Sequence, residues 1–231
     1  MKQALLMTAK TVVQTTPVIG SAINWARRQL SRGRFRSPDY WERRYAAGGN
    51  SGAGSYDRLA AFKAEILNDF VAQNAVRSVI EFGCGDGAQL DLAIYPAYVG
   101  VDVAPSAVAL CRARFADDPT KKFLHSAEAS AQCAELALSL DVIYHLVEDE
   151  NFSQYMQALF SAGTRFVAIY ASNREMASPV PHVRHRRFSD WIDAHAPEWV
   201  LIRTVPNRYP FDPKHPYTTS FAEFYFYGRR S

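Results

Sequence analysis

The stretch Ser78–Gly87, SVIEFGCGDG, runs from apolar, β-branched residues through an acid into glycines at alternate positions. A buried parallel strand that ends in a tight turn before a helix has this pattern. Glycine is needed in such a turn because the backbone takes unusual torsions and a ligand must approach where no Cβ stands in the way. Asp102 ends the next apolar run, roughly 20 residues on, where a second strand's carboxylate reaches the hydroxyls of a ribose. Together these features predict a nucleoside cofactor.

The composition is that of a globular domain with a sizeable core. Of 231 residues, 48% are hydrophobic and 21% are charged, which argues against disorder. The net charge of +3 is too small to indicate nucleic acid, and we expect no nucleic-acid partner. Cys84, Cys111 and Cys133 have no CxxC spacing, so they predict neither a zinc site nor a disulfide framework and fit a reducing, cytoplasmic compartment.

The basic charge is concentrated at the N-terminus. Residues 1–44 carry nine Lys or Arg against two acids, so the rest of the chain is slightly acidic. We interpret residues 1–36 as a basic N-terminal arm or helix, either solvated or in weak contact with an anionic membrane surface. In the second case the cytoplasmic protein is peripheral at the membrane. Charged residues and Pro17 interrupt the apolar part of the arm, so no membrane span is predicted.

Residues 37–231 alternate between helical and strand patterns and are predicted to form one domain. Helix patterns begin at Ser37 and Pro105 and also cover residues 58–71, 151–160 and 189–195. Predicted strands cover 78–82, 98–101, 122–125, 135–140 and 165–170, followed by β-rich runs at 199–205 and 220–228. The expected fold is α/β: a Rossmann-like, mostly parallel seven-stranded sheet closed by an antiparallel C-terminal hairpin, with helices on both faces.

A glycine-rich loop, 48–55, follows the first predicted helix. It is either a flexible linker or a lid whose small residues let the backbone close over a ligand. We favour a lid spanning residues 37–57. Tyr45 and Tyr56 would then be the aromatic walls of a substrate site.

The glycine motif alone does not distinguish between nucleoside cofactors. Gly83-x-Gly85-x-x-Ala88 also satisfies the dinucleotide pattern, so an NAD-linked oxidoreductase is one alternative. Two features favour another cofactor. The Glu81 carboxylate stands where it can face a ligand's ammonium group, and a closing β-hairpin is not expected of a nicotinamide-binding half.

From about Ser78 to Gly228 the sequence resembles the class I S-adenosylmethionine-dependent methyltransferases, with Glu81–Gly87 as the glycine motif of that family. The resemblance implies S-adenosyl-L-methionine as cofactor and Asp102 as the acid that binds the ribose. It places Ser126–Glu128 beside the adenine and Leu140–His145 along the methyl-transfer site. The cofactor-binding residues that it implies are Glu81, Gly83, Cys84, Gly85, Asp102, Val103, Ala127, Glu128, Leu140 and Asp141.

Asp141 and His145 are candidates for the chemistry. They lie four residues apart at the start of a predicted helix, so they would share one face. A His with a near-neutral pKa is a natural general base for a hydroxyl, and a nearby carboxylate would orient it. The alternative is that Asp141 caps the helix and His145 is a packing residue.

A second candidate cluster is His182–Arg187, HVRHRR. His182 is a third catalytic candidate, while Arg184 and His185 are candidates for binding an anionic or polyhydroxylated acceptor, since Arg forks recognise carboxylate and phosphate. The alternative is a solvated basic loop. Because His-x-x-His on a loop is not a specific ligand spacing, we expect no metal.

These interpretations predict a methyltransferase of EC 2.1.1 type that most readily methylates a hydroxyl of a small molecule or a glycan. An N-methyltransferase acting on another acceptor is a further alternative, although the predicted strand 135–140 is not followed by an Asn/Asp-Pro-Pro-Tyr motif. A third alternative is a non-catalytic binding protein with the same fold. The sequence does not indicate which oligomeric state the protein adopts.

Overall fold

The computed structural model describes residues 35–230. Nearly all of the predicted N-terminal arm therefore lies outside the described residues. The helices are α1 (Ser37–Ala46), α2 (Asp57–Gln73), α3 (Pro105–Arg114), α4 (Asp149–Ala162) and α5 (Phe188–His195). The strands are β1 (Val79–Phe82), β2 (Tyr98–Asp102), β3 (Lys121–His125), β4 (Ala134–Leu140), β5 (Gly163–Ala171), β6 (Trp199–Val205) and β7 (Glu223–Arg229).

The strands form one seven-stranded sheet in the order β3-β2-β1-β4-β5-β7-β6. Strands β1 to β5 pair in parallel, and β7 pairs antiparallel with both β5 and β6. The predicted fold class is thus confirmed, including its antiparallel end. The chain leaves β1 toward β2 on one side and returns through β4 on the other, so a topological switch point lies between β1 and β4.

Helices cover both faces of the sheet because its strands alternate apolar side chains between two cores. Phe62 and Phe70 of α2 pack in one core with Phe226 of β7. Met156 of α4 and Phe188 of α5 pack in the other core. Each side therefore buries apolar side chains of the sheet beneath at least one amphipathic helix.

Two local predictions differ from the structure. The last strand begins at Glu223 instead of residue 220, because the Asn207 amide binds the Ser220 and Ala222 carbonyl oxygens and holds that segment in the preceding loop. The predicted helix after β4 is a single 3₁₀ turn, Ile143–His145, and α4 begins only at Asp149. Among the described residues, no helix is long and apolar enough to cross a bilayer.

The packing of β7 makes Phe226 a suitable probe of the core. Its side chain is fully buried, and its ring stacks on Phe70 with 4.3 Å between centroids. We expect Phe226→Ala to lower the free energy of unfolding by about 3–5 kcal/mol through lost burial and a residual cavity. Urea denaturation of the wild type and the variant measures this loss in the free energy of unfolding. Val200→Ala, on the exposed face of β6, should stay within about 0.5 kcal/mol of wild type; equal losses in the two variants would contradict this account.

Candidate active site

The glycine turn after β1 has a backbone conformation that favours glycine. Gly83, Gly85 and Gly87 all have positive φ, at 85°, 58° and 76°. A Cβ at Gly83 would clash with Val142, and one at Gly85 would clash with Ser51. Glycine therefore satisfies two demands here, the left-handed torsions and the close approach of neighbouring segments.

Asp102, the acid at the end of β2, holds this turn in place. Its Oδ2 accepts a hydrogen bond from the Gly85 N–H at 2.9 Å, and its Oδ1 accepts one from the Ala104 N–H at 2.9 Å. Burial raises the pKa of Asp102, and the backbone hydrogen bonds oppose that shift. Each carboxylate oxygen keeps a further lone pair for a ligand.

A cavity of about 380 Å³ opens at the carboxyl ends of β1, β2 and β4, where ligands bind in open α/β sheets. Seven of the ten predicted cofactor-binding residues line it: Glu81, Gly83, Cys84, Asp102, Val103, Leu140 and Asp141. Gly85, Ala127 and Glu128 are not among the lining residues, whereas the neighbouring Ser126 is. The Glu128 carboxylate instead accepts the His125 N–H at 3.1 Å and caps its own 3₁₀ turn.

Glu81 is buried at the floor of the cavity. The Tyr98 hydroxyl donates to Glu81 Oε2 at 2.6 Å. Burial raises the pKa of Glu81 to about 7, while the Tyr98 hydrogen bond and the charge of Lys63 lower it. A carboxylate that is so poorly solvated favours a cationic partner.

Asp141 does not lie on a helix with His145, so that prediction is wrong. Its backbone is left-handed, with a φ of 61°. Two residues other than His145 donate hydrogen bonds to its carboxylate. Lys63 donates to Oδ2 at 2.6 Å, and the Tyr144 hydroxyl donates to Oδ1 at 2.7 Å. Strained torsions of this kind persist where the surrounding contacts over-determine them, often at functional sites.

Lys63 is a residue of this site that the sequence interpretation missed. Its side chain is only 1% exposed, and it lines the cavity from α2. A signal was present: Lys63 lies between Leu59 and Ile66 on the apolar face of an amphipathic helix. A charged residue in such a position needs a buried partner, and Asp141 is that partner.

His145 also lines the cavity. The peptide carbonyl of His182, and not the carboxylate of Asp141, orients its ring. Its Nδ1 lies 2.9 Å from that carbonyl oxygen, so Nδ1 carries the proton and Nε2 keeps its lone pair. Burial lowers the pKa of His145 to about 4, against the near-neutral value expected from the sequence. The imidazole is therefore neutral at physiological pH.

The basic cluster 182–187 lies behind the cavity wall. The His182 ring stacks on Tyr40 at 4.6 Å between centroids. Arg184 Nη1 donates to the Val147 carbonyl oxygen at 3.1 Å, and the buried His185 bonds to Ser172 at 2.6 Å. His182, Arg184 and His185 are absent from the lining of the cavity. Within residues 35–230, no three metal-ligating side chains come together.

The glycine-rich loop closes directly over the glycine turn through Asp86. The Ser51 N–H and Oγ–H donate to the two oxygens of that carboxylate at 3.0 and 2.8 Å. The Tyr56 hydroxyl donates to it at 2.6 Å. Tyr45 lines the cavity, but Tyr56 does not. A loop covers the site as the lid interpretation requires, while its opening stays a prediction.

Two further serine–carboxylate pairs hold α1 in the same way. Ser37 donates from its N–H and Oγ–H to Glu148 at 2.9 and 2.6 Å. Ser106 donates from the same two groups to Glu42 at 3.0 and 2.6 Å. The segment from α1 to the glycine-rich loop is thus fixed to the domain at three points around the cavity.

No protein-family model matches the chain, and no curated protein matches it. Solved structures do. The N-methyltransferase NodS from Bradyrhizobium japonicum WM9, in complex with S-adenosyl-L-homocysteine, has a TM-score of 0.63 at 14% identity over 85% of this chain and 100% of its own. The magnesium protoporphyrin IX methyltransferase ChlM from Synechocystis PCC 6803, with S-adenosyl-L-homocysteine bound, has a TM-score of 0.57 at 14% identity over 74% of this chain and 84% of its own.

An S-adenosylmethionine-dependent methyltransferase from Clostridium acetobutylicum ATCC 824 has a TM-score of 0.53 at 9% identity, covering 73% of this chain and 91% of its own. Three solved methyltransferases thus share the fold of this chain. The fold of this chain is that of the class I S-adenosylmethionine-dependent methyltransferases, as the sequence predicted.

The burial of Glu81 predicts a pH dependence of stability. A raised folded-state pKa means that the folded protein holds this proton more tightly than the unfolded chain does. The contribution of Glu81 to the free energy of unfolding is fully present below its unfolded-state pKa of about 4.3. It is lost as pH rises through the folded-state pKa of about 7. We expect the stability difference between wild type and Glu81→Gln to change across this window by about 1.4 kcal/mol per unit of pKa shift.

Urea denaturation at pH 4.5 to 8 measures this difference. Glu150→Gln, at an exposed position, serves as the matched control and should follow the wild-type pH dependence. A pH-independent difference between wild type and Glu81→Gln would contradict the raised pKa.

Proposed function

We propose that the protein is an S-adenosylmethionine-dependent methyltransferase that methylates a hydroxyl of a small molecule or a glycan. The observation that carries the proposal is the cavity at the switch point of this fold, where the glycine turn, Glu81 and Asp102 meet. Its volume of about 380 Å³ lies in the range of small-molecule sites.

The residues present fit this cofactor. Gly83 lines the cavity beside Glu81 and Asp102, so a ligand can approach the backbone of the turn where no Cβ stands in the way. Gln89 Oε1 is buried without a hydrogen-bond partner among the described residues, which indicates that the cavity takes a ligand with a polar donor. Asp102 would hold the ribose hydroxyls, and Glu81 would face the ammonium group. Apolar side chains line the remaining wall: Phe82, Val101, Val103, Leu140, Val142 and Leu146.

When bound, this cofactor supplies a methyl group that is already activated on a sulfonium. The chain then has to align the acceptor oxygen and accept its proton. His145 is suited to the second task because its Nδ1–H is held by the His182 carbonyl oxygen and its Nε2 is free of protons. A base with a pKa of about 4 is weak, but an oxygen that gains a methyl becomes strongly acidic, so the imidazole suffices.

The remaining predicted residues take different roles in this proposal. Tyr45 lines the cavity from α1, next to Trp41, which the sequence did not single out; this supports a role for both in contacting the acceptor. His182 acts by positioning His145 through its carbonyl oxygen. Tyr56 supports the site through Asp86. The acceptor contacts of Arg184 and His185 stay sequence predictions.

Ligand-induced stabilisation tests the cofactor. We expect S-adenosylhomocysteine at about 100 times its Kd to stabilise the protein by about 2.7 kcal/mol, and NAD to leave its thermal midpoint unchanged. Asp102→Ala should lose much of the response because the ribose hydroxyls lose their acceptor. Stabilisation by NAD alone would instead support the oxidoreductase alternative.

His145→Asn tests the general base. Asparagine keeps a donor for the His182 carbonyl oxygen and removes Nε2. We expect turnover, with the acceptor selected from a panel of hydroxyl compounds, to fall about 10²- to 10⁴-fold while affinity for S-adenosylhomocysteine is retained. The exposed His195, changed to Asn, is the matched control. Turnover within roughly tenfold of wild type would remove the role of His145.

A further inference from the structure

Two polar groups in the cavity wall have hydrogen-bonding capacity that the described residues do not use. Lys63 Nζ carries three donors, and its one hydrogen-bond partner among residues 35–230 is Asp141. Gln89 Oε1 is an acceptor with no partner in the same part of the chain. Both side chains line the cavity, and both are at least nine-tenths buried, at 1% and 9% exposed.

Both groups are fixed in position. Gln89 Nε2 donates to the Ala60 carbonyl oxygen at 3.1 Å, which sets the amide orientation and leaves Oε1 as the free end. Lys63 is three residues after Ala60 on α2, so Gln89 is anchored to the same turn of the helix that carries Lys63. Asp141 holds the ammonium group of Lys63 at 2.6 Å. Leaving a buried polar group unsatisfied is costly, so a ligand that satisfies these groups gains affinity.

The charges at this end of the cavity match an amino acid. Lys63 offers donors to a carboxylate, while Gln89 Oε1 and the carboxylate of Glu81 offer acceptors to an ammonium group. The lid bounds this end: Ser55 lines the cavity, and a Cβ at Gly54 would lie 2.7 Å from Asp141 Oδ2. A ligand part with both charges and little bulk fits such a place.

We propose that Lys63 and Gln89 bind the α-amino-acid end of the cofactor. Lys63 binds the carboxylate of the cofactor, and Gln89 binds the ammonium group of the cofactor. Neither residue belongs to the glycine motif. Asp141 is then a positioning residue that holds the Lys63 ammonium group in the cavity wall through the ion pair at 2.6 Å. The inference rests on the proposed function, because it assumes a cofactor with an amino-acid end.

Titration calorimetry with two ligands tests the proposal. S-adenosylhomocysteine carries the amino-acid end, and 5′-methylthioadenosine shares its nucleoside but lacks that end. Hydrogen bonds to charged groups contribute about 1.5–3 kcal/mol, so Gln89→Leu and Lys63→Met should each weaken S-adenosylhomocysteine binding about 10- to 100-fold. Their Kd for 5′-methylthioadenosine should stay at the wild-type value. Gln154→Leu, in the same cavity, is the matched control and should leave the ratio of the two Kd values unchanged.

A decarboxylated cofactor analogue, which keeps the amine, separates the two residues. Lys63→Met should not weaken its binding, because the partner of Lys63 is missing from the ligand, whereas Gln89→Leu should. Lys63→Met leaves Asp141 as an unpaired buried charge and can impair folding. Gln89→Leu introduces no unpaired charge, and its retained binding of 5′-methylthioadenosine reports a folded site.

The outcomes distinguish this inference from the proposed function. If the wild-type protein binds neither ligand, the proposed function fails and the inference falls with it. If it binds both ligands equally, or if Gln89→Leu weakens both ligands by the same factor, the assignment of Lys63 and Gln89 is overturned while cofactor binding stands.

Discussion

The hydrogen bond from the Gly85 N–H to Asp102 is the contact on which the site depends. It joins the turn after β1 to the end of β2, in a turn where three glycines take positive φ within five residues. The same turn exposes backbone to the cavity and lets Ser51 of the lid approach Gly85 closely. A side chain at Gly83 or Gly85 would disturb the turn and the neighbouring segment together. Fold and ligand site thus share one backbone constraint.

A second constraint is the buried pair of Lys63 and Asp141. Burying two charges is costly unless their geometry is good and further hydrogen bonds satisfy them, and here Tyr144 supplies such a bond to Asp141. The left-handed backbone of Asp141 adds strain. Replacing a buried ion pair with well-packed apolar residues is often neutral or stabilising. A contribution to stability alone therefore does not account for this pair, in keeping with the proposed contact of Lys63 with a ligand.

The covering segment uses one chemical arrangement three times, a serine whose N–H and O–H both donate to one carboxylate. Ser37, Ser51 and Ser106 are the serines, and their carboxylates belong to Glu148, Asp86 and Glu42. Charge-assisted hydrogen bonds of this kind are stronger than neutral ones. Such contacts fix the covering segment to the rest of the domain, in keeping with the predicted lid.

The sequence by itself determined the sheet, its antiparallel end, the glycine turn and the acid at Asp102. These features depend on local periodicity and backbone torsions, which short stretches of sequence encode. Only the tertiary structure decided which side chains share the cavity. Lys63 and Asp141 are 78 residues apart in the chain, and Arg184 and His185, which looked like binding residues, turn to Val147 and Ser172 instead. The physical reason is that a local pattern specifies the strand or helix on which a residue lies, whereas its partner depends on how distant elements pack.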